Sequence, residues 1–201
     1  AMPGGRRRFE LARLVGHYHA AKGDHLDPSA KLALADPLLL ILDDAAMEEV
    51  GLETLTELED IRSFAAQHFQ DAAKFYEILQ LHWPRHVESL GVMEPMARRV
   101  GLLNALTELW EKRAPTHPVI IAGSTGTLGA TARLMRCVSH MKDGIIVLPG
   151  LDKHMPDEAW NAINLESKDE VKATPEISQY SLKKLLGVLG TAREEVENWE
   201  T

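Results

Sequence analysis

Val119-Ile120-Ile121-Ala122-Gly123-Ser124-Thr125-Gly126-Thr127-Leu128-Gly129-Ala130-Thr131-Ala132-Arg133-Leu134 is the stretch that decides the fold class of this chain. A β-branched run feeds a glycine-rich turn that opens into a helical pattern, an arrangement by which proteins often turn backbone N–H groups toward a phosphate. After a helix expected over Thr127 to Met141, the run Gly144 to Leu148 reads as a second strand, of the kind buried on both faces. Strand, helix and strand predict a parallel pair with a right-handed crossover. The turn lacks two side chains that nucleotide chemistry uses: no lysine follows the glycines, and no acid ends the strand to hold Mg²⁺.

Upstream of this unit the period is helical. Phe9, Leu11, Leu14, Val15 and Tyr18 mark a first amphipathic segment that stops at Gly23-Asp24. Asp27-Pro28-Ser29 is a cap-and-first-turn signal for a second helix reaching toward Gly51, interrupted or restarted at Pro37. From Thr54 a stripe runs through Leu58, Ile61, Ala65, Phe69, Ala72, Phe75, Leu79, Trp83 and Val87. Pro84 predicts a kink near Gln80 to Trp83. A fourth helix enters through Glu94-Pro95 and carries Met96, Val100, Leu103, Leu106 and Trp110. Each segment has a single apolar face, so a bundle is the simplest way to cover them.

Downstream of the second strand, Pro149-Gly150-Leu151-Asp152 turns the chain, and Pro156-Asp157-Glu158 starts a short helix through Trp160. Glu166 to Glu176 reads as a polar loop, and Tyr180 to Leu189 as a last helix stopped by Gly190, before a tail with Trp199. The expected fold is therefore α/β and predominantly helical. The change of period at Pro115-Thr116-His117-Pro118 predicts a helical subdomain over 1–115 and an α/β unit over 116–201.

Composition narrows the function classes. The 201 residues carry a formal charge of −8, which argues against a general nucleic-acid surface, although a basic face can sit within an acidic whole. Arg6-Arg7-Arg8, the dense basic run, reads as a loose terminus, and Ala1-Met2 as a leftover ahead of natural sequence cut from something longer. The single cysteine, Cys137, excludes a disulfide framework or an all-cysteine metal site within these residues and reads as a small core residue. No apolar run is long enough for a bilayer, so the expectation is a cytoplasmic protein with no membrane partner.

Gly123-x-x-Gly126-x-x-Gly129 after a strand is similar to the glycine pattern of extended short-chain dehydrogenases, with Asp152 where a ribose-binding acid would stand. Such a unit opens its domain, whereas only about fifty residues follow Asp152 and these read as helical. Tyr180 precedes Lys183 and Lys184 on a short late helix that lacks the surrounding fold. The glycine turn remains a candidate anion- or nucleotide-binding turn through Ser124, Thr125, Gly126 and Thr127, with a hydroxyl capping the helix; the plainer reading is a tight strand-to-helix turn. His82 and His86 stand four apart, but the Glu of a zinc-protease helix is absent and no third ligand is spaced for a metal. No catalytic set and no metal site are read from the residues.

Pro118 to Gly126, then Ala130-Thr131-Ala132-Arg133-Leu134 and Ile146-Val147-Leu148-Pro149-Gly150-Leu151-Asp152, resemble the alphaproteobacterial AddB family, a subunit of the AddAB helicase-nuclease that processes DNA double-strand breaks for recombination. Asp157-Glu158-Ala159-Trp160, Gln179 to Leu186, Trp199, Trp83-Pro84 and Leu90-Gly91 extend the resemblance over nearly the whole chain. It implies an internal fragment of an inactivated helicase-like region, with a helical subdomain like that inserted in the first motor domain of superfamily 1 helicases. The strand-helix-strand unit then resembles part of that motor domain, without the first strands of its sheet.

Working motors end the corresponding strand with Asp-Glu, which hold Mg²⁺ and orient the attacking water. Here Ala122 and Gly123 occupy those Walker B-like positions, and Asp152 is the polar remnant of motif III. The resemblance implies a non-catalytic scaffold partnered with an AddA-type helicase-nuclease subunit and, in the full complex, with DNA scanned for a hotspot sequence. Mg²⁺ and an iron–sulfur cluster belong to the parent family, the cluster in a C-terminal nuclease domain outside these residues, so no cofactor is expected here. The alternatives are a nucleotide-dependent oxidoreductase using Gly123, Gly126 and Gly129, or a helical protein-interaction adaptor.

Overall fold

The computed structural model describes residues 1–21, 23–57, 76–163 and 178–198. Among them the fold is a predominantly helical α/β fold with a small two-stranded parallel sheet. No helix among the described residues is long and apolar enough to cross a membrane. The chain divides into two compact units, Ala1–Gly101 and Leu102–Thr201.

In the first unit, α1 (Gly4–Ala21) packs against α2 (Pro28–Met47). α1 buries Leu11, Val15 and Tyr18, which share one helical face. Phe9, expected on that stripe, is 64% exposed, because two residues from Leu11 is nearly the opposite side of a helix. Four residues back from Leu11 lies Arg7, and Arg7 is buried in its place. The basic run is thus not a loose terminus. Arg7 pairs with Asp43 at 2.9 Å and with Glu94, and Arg8 grips Asp36 through bonds of 2.6 and 2.7 Å. A buried guanidinium needs such partners because leaving water is costly for a charge. Met2 is buried too, its N–H donating to the Met93 carbonyl at 3.1 Å.

α2 starts where its cap signal predicts. Asp27 accepts from the Ala30 N–H at 2.8 Å and from the Ser29 hydroxyl at 2.7 Å, with Pro28 in the first turn, where no N–H is needed. Pro37 does not interrupt the helix, although the carbonyl one turn back loses its donor. Ala35, Leu38, Leu42 and Ala45 bury one continuous face and hold the helix across the defect.

The helix expected from Thr54 is instead a 3₁₀ turn, Leu52–Glu57, and the stripe from Leu58 to Phe75 lies outside the described residues. Where the stripe resumes, the kink takes the form of a π turn, Ile78–His82, leading into α3 (Trp83–Ser89). The Trp83 N–H reaches back five residues to the Ile78 carbonyl. Pro84 explains this: it offers no N–H, and its ring crowds the carbonyl one turn back, so the ladder widens by a residue. Ile78, Leu79, Trp83 and Val87 then join Leu11, Val15, Leu38 and Leu42 in the core of this unit.

α4 (Pro95–Lys112) enters through Glu94-Pro95 as expected, and the division between the units falls within it. In the second unit β1 (Val119–Ala122) pairs in parallel with β2 (Gly144–Val147), Val119 opposite Gly144 and Ala122 opposite Val147. Between them α5 (Gly129–Ser139) begins two residues later than the expected Thr127. α5 packs on both strands and on α7 (Ser178–Leu189), so that Ala132, Met135, Leu185 and Leu189 form a core with Ile121, Ile146 and Leu148 against them.

β2 is not buried on both faces as its composition suggests: Ile145 is 42% exposed beside Ile120 at 55%. Helices cover one side of this sheet, and the paired isoleucines occupy the other. The short α6 (Asp157–Ala162) ends against Lys183, whose ammonium donates to the carbonyls of Trp160 and Ile163, both at 2.8 Å. Buried Arg193 stacks 5.0 Å from the Trp160 ring and donates to the Met155 carbonyl at 2.8 Å and to Asp157 at 2.5 Å. The polar loop expected over Glu166 to Glu176 and the tail Trp199 lie outside the described residues.

Candidate functional site

The glycine turn begins where the β ladder closes. The Val119 N–H donates to the Asp143 carbonyl at 3.0 Å and the Gly123 N–H to the Val147 carbonyl at 3.1 Å, after which the chain leaves the sheet. Gly123 and Gly126 take φ of 75° and 62°, left-handed values that cost a residue with a Cβ. They differ in surroundings. A Cβ on Gly123 would meet open space, whereas one on Gly126 would come 2.7 Å from Cδ1 of Leu185 on α7. Gly126 therefore serves two needs at once, the turn and the close approach of α7.

The hydroxyls of the turn do not cap the helix. Leu128 holds the N-cap position without a side-chain bond, and the Ser124 hydroxyl instead accepts from the Gly126 N–H at 3.2 Å, inside the turn. Thr125 is half-buried and Thr127 exposed. Ala122 and Gly123, at the end of β1, are both exposed. Among the described residues, a groove of about 630 Å³ opens beside β2 and another of about 680 Å³ beside α5, and the turn lines neither of these.

Asp152 is not joined to the turn by any bond among the described residues. Its carboxylate accepts from the His154 N–H at 2.9 Å, a local Asx turn, and its own N–H donates to the side-chain carbonyl of Gln179 at 3.0 Å. The Gln179 amide also donates to the Gly150 carbonyl at 2.9 Å. This buried glutamine clamps the segment after β2 from both sides, a role that sequence reasoning missed because only the fold brings α7 to Gly150. Lys183, three residues after Tyr180, is engaged at the end of α6.

In the first unit the two histidines of the metal alternative part company. His82 lies 3.4 Å from Glu77 and His86 lies 3.0 Å from Glu10, whose carboxyl is held below its usual range mainly by that histidine. Among the described residues no group of three or more His, Cys, Asp or Glu is placed to hold a metal ion. Cys137 is half-buried on α5, its thiol 3.9 Å from the Thr107 carbonyl; burial, then the Glu111 carboxylate, push its pKa up, the opposite of an activated nucleophile.

The unexpected polar cluster is also in the first unit, where Arg7 sits between Asp43 and Glu94. Burial pushes the Glu94 carboxyl up despite the pull of Arg7. A signal for it existed in the four-residue step from Arg7 to Leu11 to Val15. Comparison with known protein families, curated proteins and solved structures found no match.

Proposed function

We propose that this chain is a non-catalytic, helicase-like scaffold segment of an AddB-type subunit, working in DNA double-strand break repair beside an AddA-type motor. The observation that carries the reading is the end of β1. A strand-turn-helix unit suited to nucleotide chemistry has Ala122 and Gly123 where Mg²⁺-holding acids would stand, no lysine after the glycines, and Gly126 pressed against a leucine. Ser124 closes the turn on itself, and Asp152 is spent on a local turn. These features support a unit that keeps the backbone of an ATPase without its chemistry.

The test is calorimetric titration of the chain with Mg²⁺-ATP and with NAD(P)H, alongside co-purification with an AddA-type subunit. The expected result is no saturable heat from either nucleotide and stoichiometric retention of the motor subunit. Micromolar binding of a dinucleotide would overturn the reading in favour of the oxidoreductase, and nucleotide-independent loss of the motor subunit would favour an unrelated helical adaptor.

A further inference from the structure

Among the described residues β2 pairs on one side only, and the groove of about 630 Å³ runs along its other edge. The register shows which backbone groups that edge presents. The Val119 N–H donates to the Asp143 carbonyl and the Gly123 N–H to the Val147 carbonyl, so residues 143, 145 and 147 turn their polar groups toward β1. Residues 144, 146 and 148 therefore turn theirs toward the groove. The Gly144 N–H is taken by the Met141 carbonyl at 3.2 Å. Among the described residues, the Gly144 carbonyl, both polar groups of Ile146 and the Leu148 N–H have no backbone partner, and all three residues line the groove.

Strand edges are usually blunted by a charge, a proline or a bulge. β2 carries none of these: Gly144-Ile145-Ile146-Val147 is uncharged and pairs residue for residue with β1. The edge is instead recessed. The chain from Glu195 to Asn198 forms a wall of the groove, tied down by the Lys153 ammonium, which donates to the Val196 carbonyl. Glu195 and Glu197 on that wall are exposed, and Leu186 and Leu189 of α7 supply apolar lining.

We infer that this groove takes up an extended polypeptide segment, apolar in its middle and carrying basic residues, which adds to β2 as a third strand. Unpaired N–H and carbonyl groups along a strand are met by a second backbone, because an extended chain presents acceptors and donors at the same spacing. Alternate side chains of that segment would meet Leu186 and Leu189, and its cations would meet Glu195 and Glu197. The occupant is not a second folded edge: a copy of this chain carries the same wall beside its own β2, and the two walls would hold the edges apart. Nor is it a nucleic acid, whose phosphates the two glutamates repel. The scaffold reading assigns no partner to this edge, and the inference rests on the groove alone.

A fluorescein-labelled synthetic peptide, Lys-Val-Thr-Val-Thr-Val-Lys, titrated with the whole chain and followed by anisotropy, tests it. Binding should saturate. Glu195→Lys with Glu197→Lys, both at exposed positions, should weaken it about 3- to 10-fold, the effect of losing two solvent-exposed charge pairs, with circular dichroism confirming the fold. A strand turns every second N–H toward its neighbour. N-methylation of the valines or of the threonines should therefore cut affinity at least about tenfold in one peptide and change it little in the other. Amide exchange followed by NMR gives a second measure: saturating peptide should slow Ile146 at least about tenfold and leave Gly144, already bonded within the chain, unchanged.

No saturable binding, equal binding by the double reversal, equal effects of the two N-methylated peptides, or unchanged exchange at Ile146 would overturn the inference. So would elution of the free chain at the mass of two copies with Ile146 already protected, which would assign the edge to a second copy. None of these results bears on the nucleotide titration or on retention of the motor subunit, so the two readings fail separately.

Discussion

Replacing Gly126 with alanine should destabilise the second unit by about 2–5 kcal/mol, the sum of two separable costs. The first is conformational: at φ 62° a Cβ approaches the following carbonyl, worth about 1–2 kcal/mol. The second is steric, because the new methyl would lie 2.7 Å from Leu185 Cδ1 and 3.4 Å from Ala132 Cβ. Leu185 is 1% exposed and packed against Ala132, Met135 and Leu189, so it has little room to withdraw, and overpacking of this kind costs about 1–3 kcal/mol. Gly123 supplies the internal control. Its φ is 75° but its Cβ direction is open, so Gly123→Ala should cost only the conformational part, about 1–2 kcal/mol.

Urea unfolding of both variants measures the difference, and Leu185→Ala in the Gly126→Ala background measures the clash itself. A coupling of about 1–2 kcal/mol between positions 126 and 185 is expected, since the smaller side chain relieves the contact. Equal destabilisation by the two alanines, or no coupling with position 185, would refute the argument that Gly126 is a packing glycine.

Arg7→Met should cost about 3–5 kcal/mol in the first unit, measured by denaturant unfolding, because it strands Glu94 as an unpaired buried charge. Burial raises the Glu94 pKa in the folded state, so folding takes up a proton there. Its contribution to stability should therefore grow as pH falls through the folded pKa and level off below the unfolded value of about 4.3, and Glu94→Gln should remove that part of the melting-temperature profile. Gln179→Ala should cost about 1–3 kcal/mol and speed amide exchange at Asp152, since it leaves the Gly150 carbonyl and the Asp152 N–H without their buried partner.

What could be read from residues alone was what local chemistry decides. The start of α2 is legible because cap, proline and hydroxyl lie within three residues and satisfy one another there. Pro84 announces a broken ladder, but whether the break opens as a bend or as a π turn depends on which carbonyl the Trp83 N–H can reach once Ile78 and Leu79 are buried. Arg7 was hidden by its neighbours, since a run of three arginines reads as solvated and its partners Asp43 and Glu94 come from other segments. The face of β2 was illegible for a different reason. Ile145, Ile146 and Val147 are all β-branched, so the run carries no alternation, and only the placement of α5 and α7 decides which of them meets water.

The glycine turn shows how one sequence pattern serves unlike purposes. Gly123 turns the chain out of the sheet, Gly126 admits Leu185, and Gly129 opens α5 at an exposed position, yet at spacings of three they spell a cofactor fingerprint. In a phosphate loop the close approach is between backbone and ligand; at Gly126 it is between backbone and an apolar side chain. The Val147 carbonyl, the Ser124 hydroxyl and Leu185 hold the turn among themselves. A strand-turn-helix unit whose shape is secured by its own packing needs no bound ligand to keep its geometry.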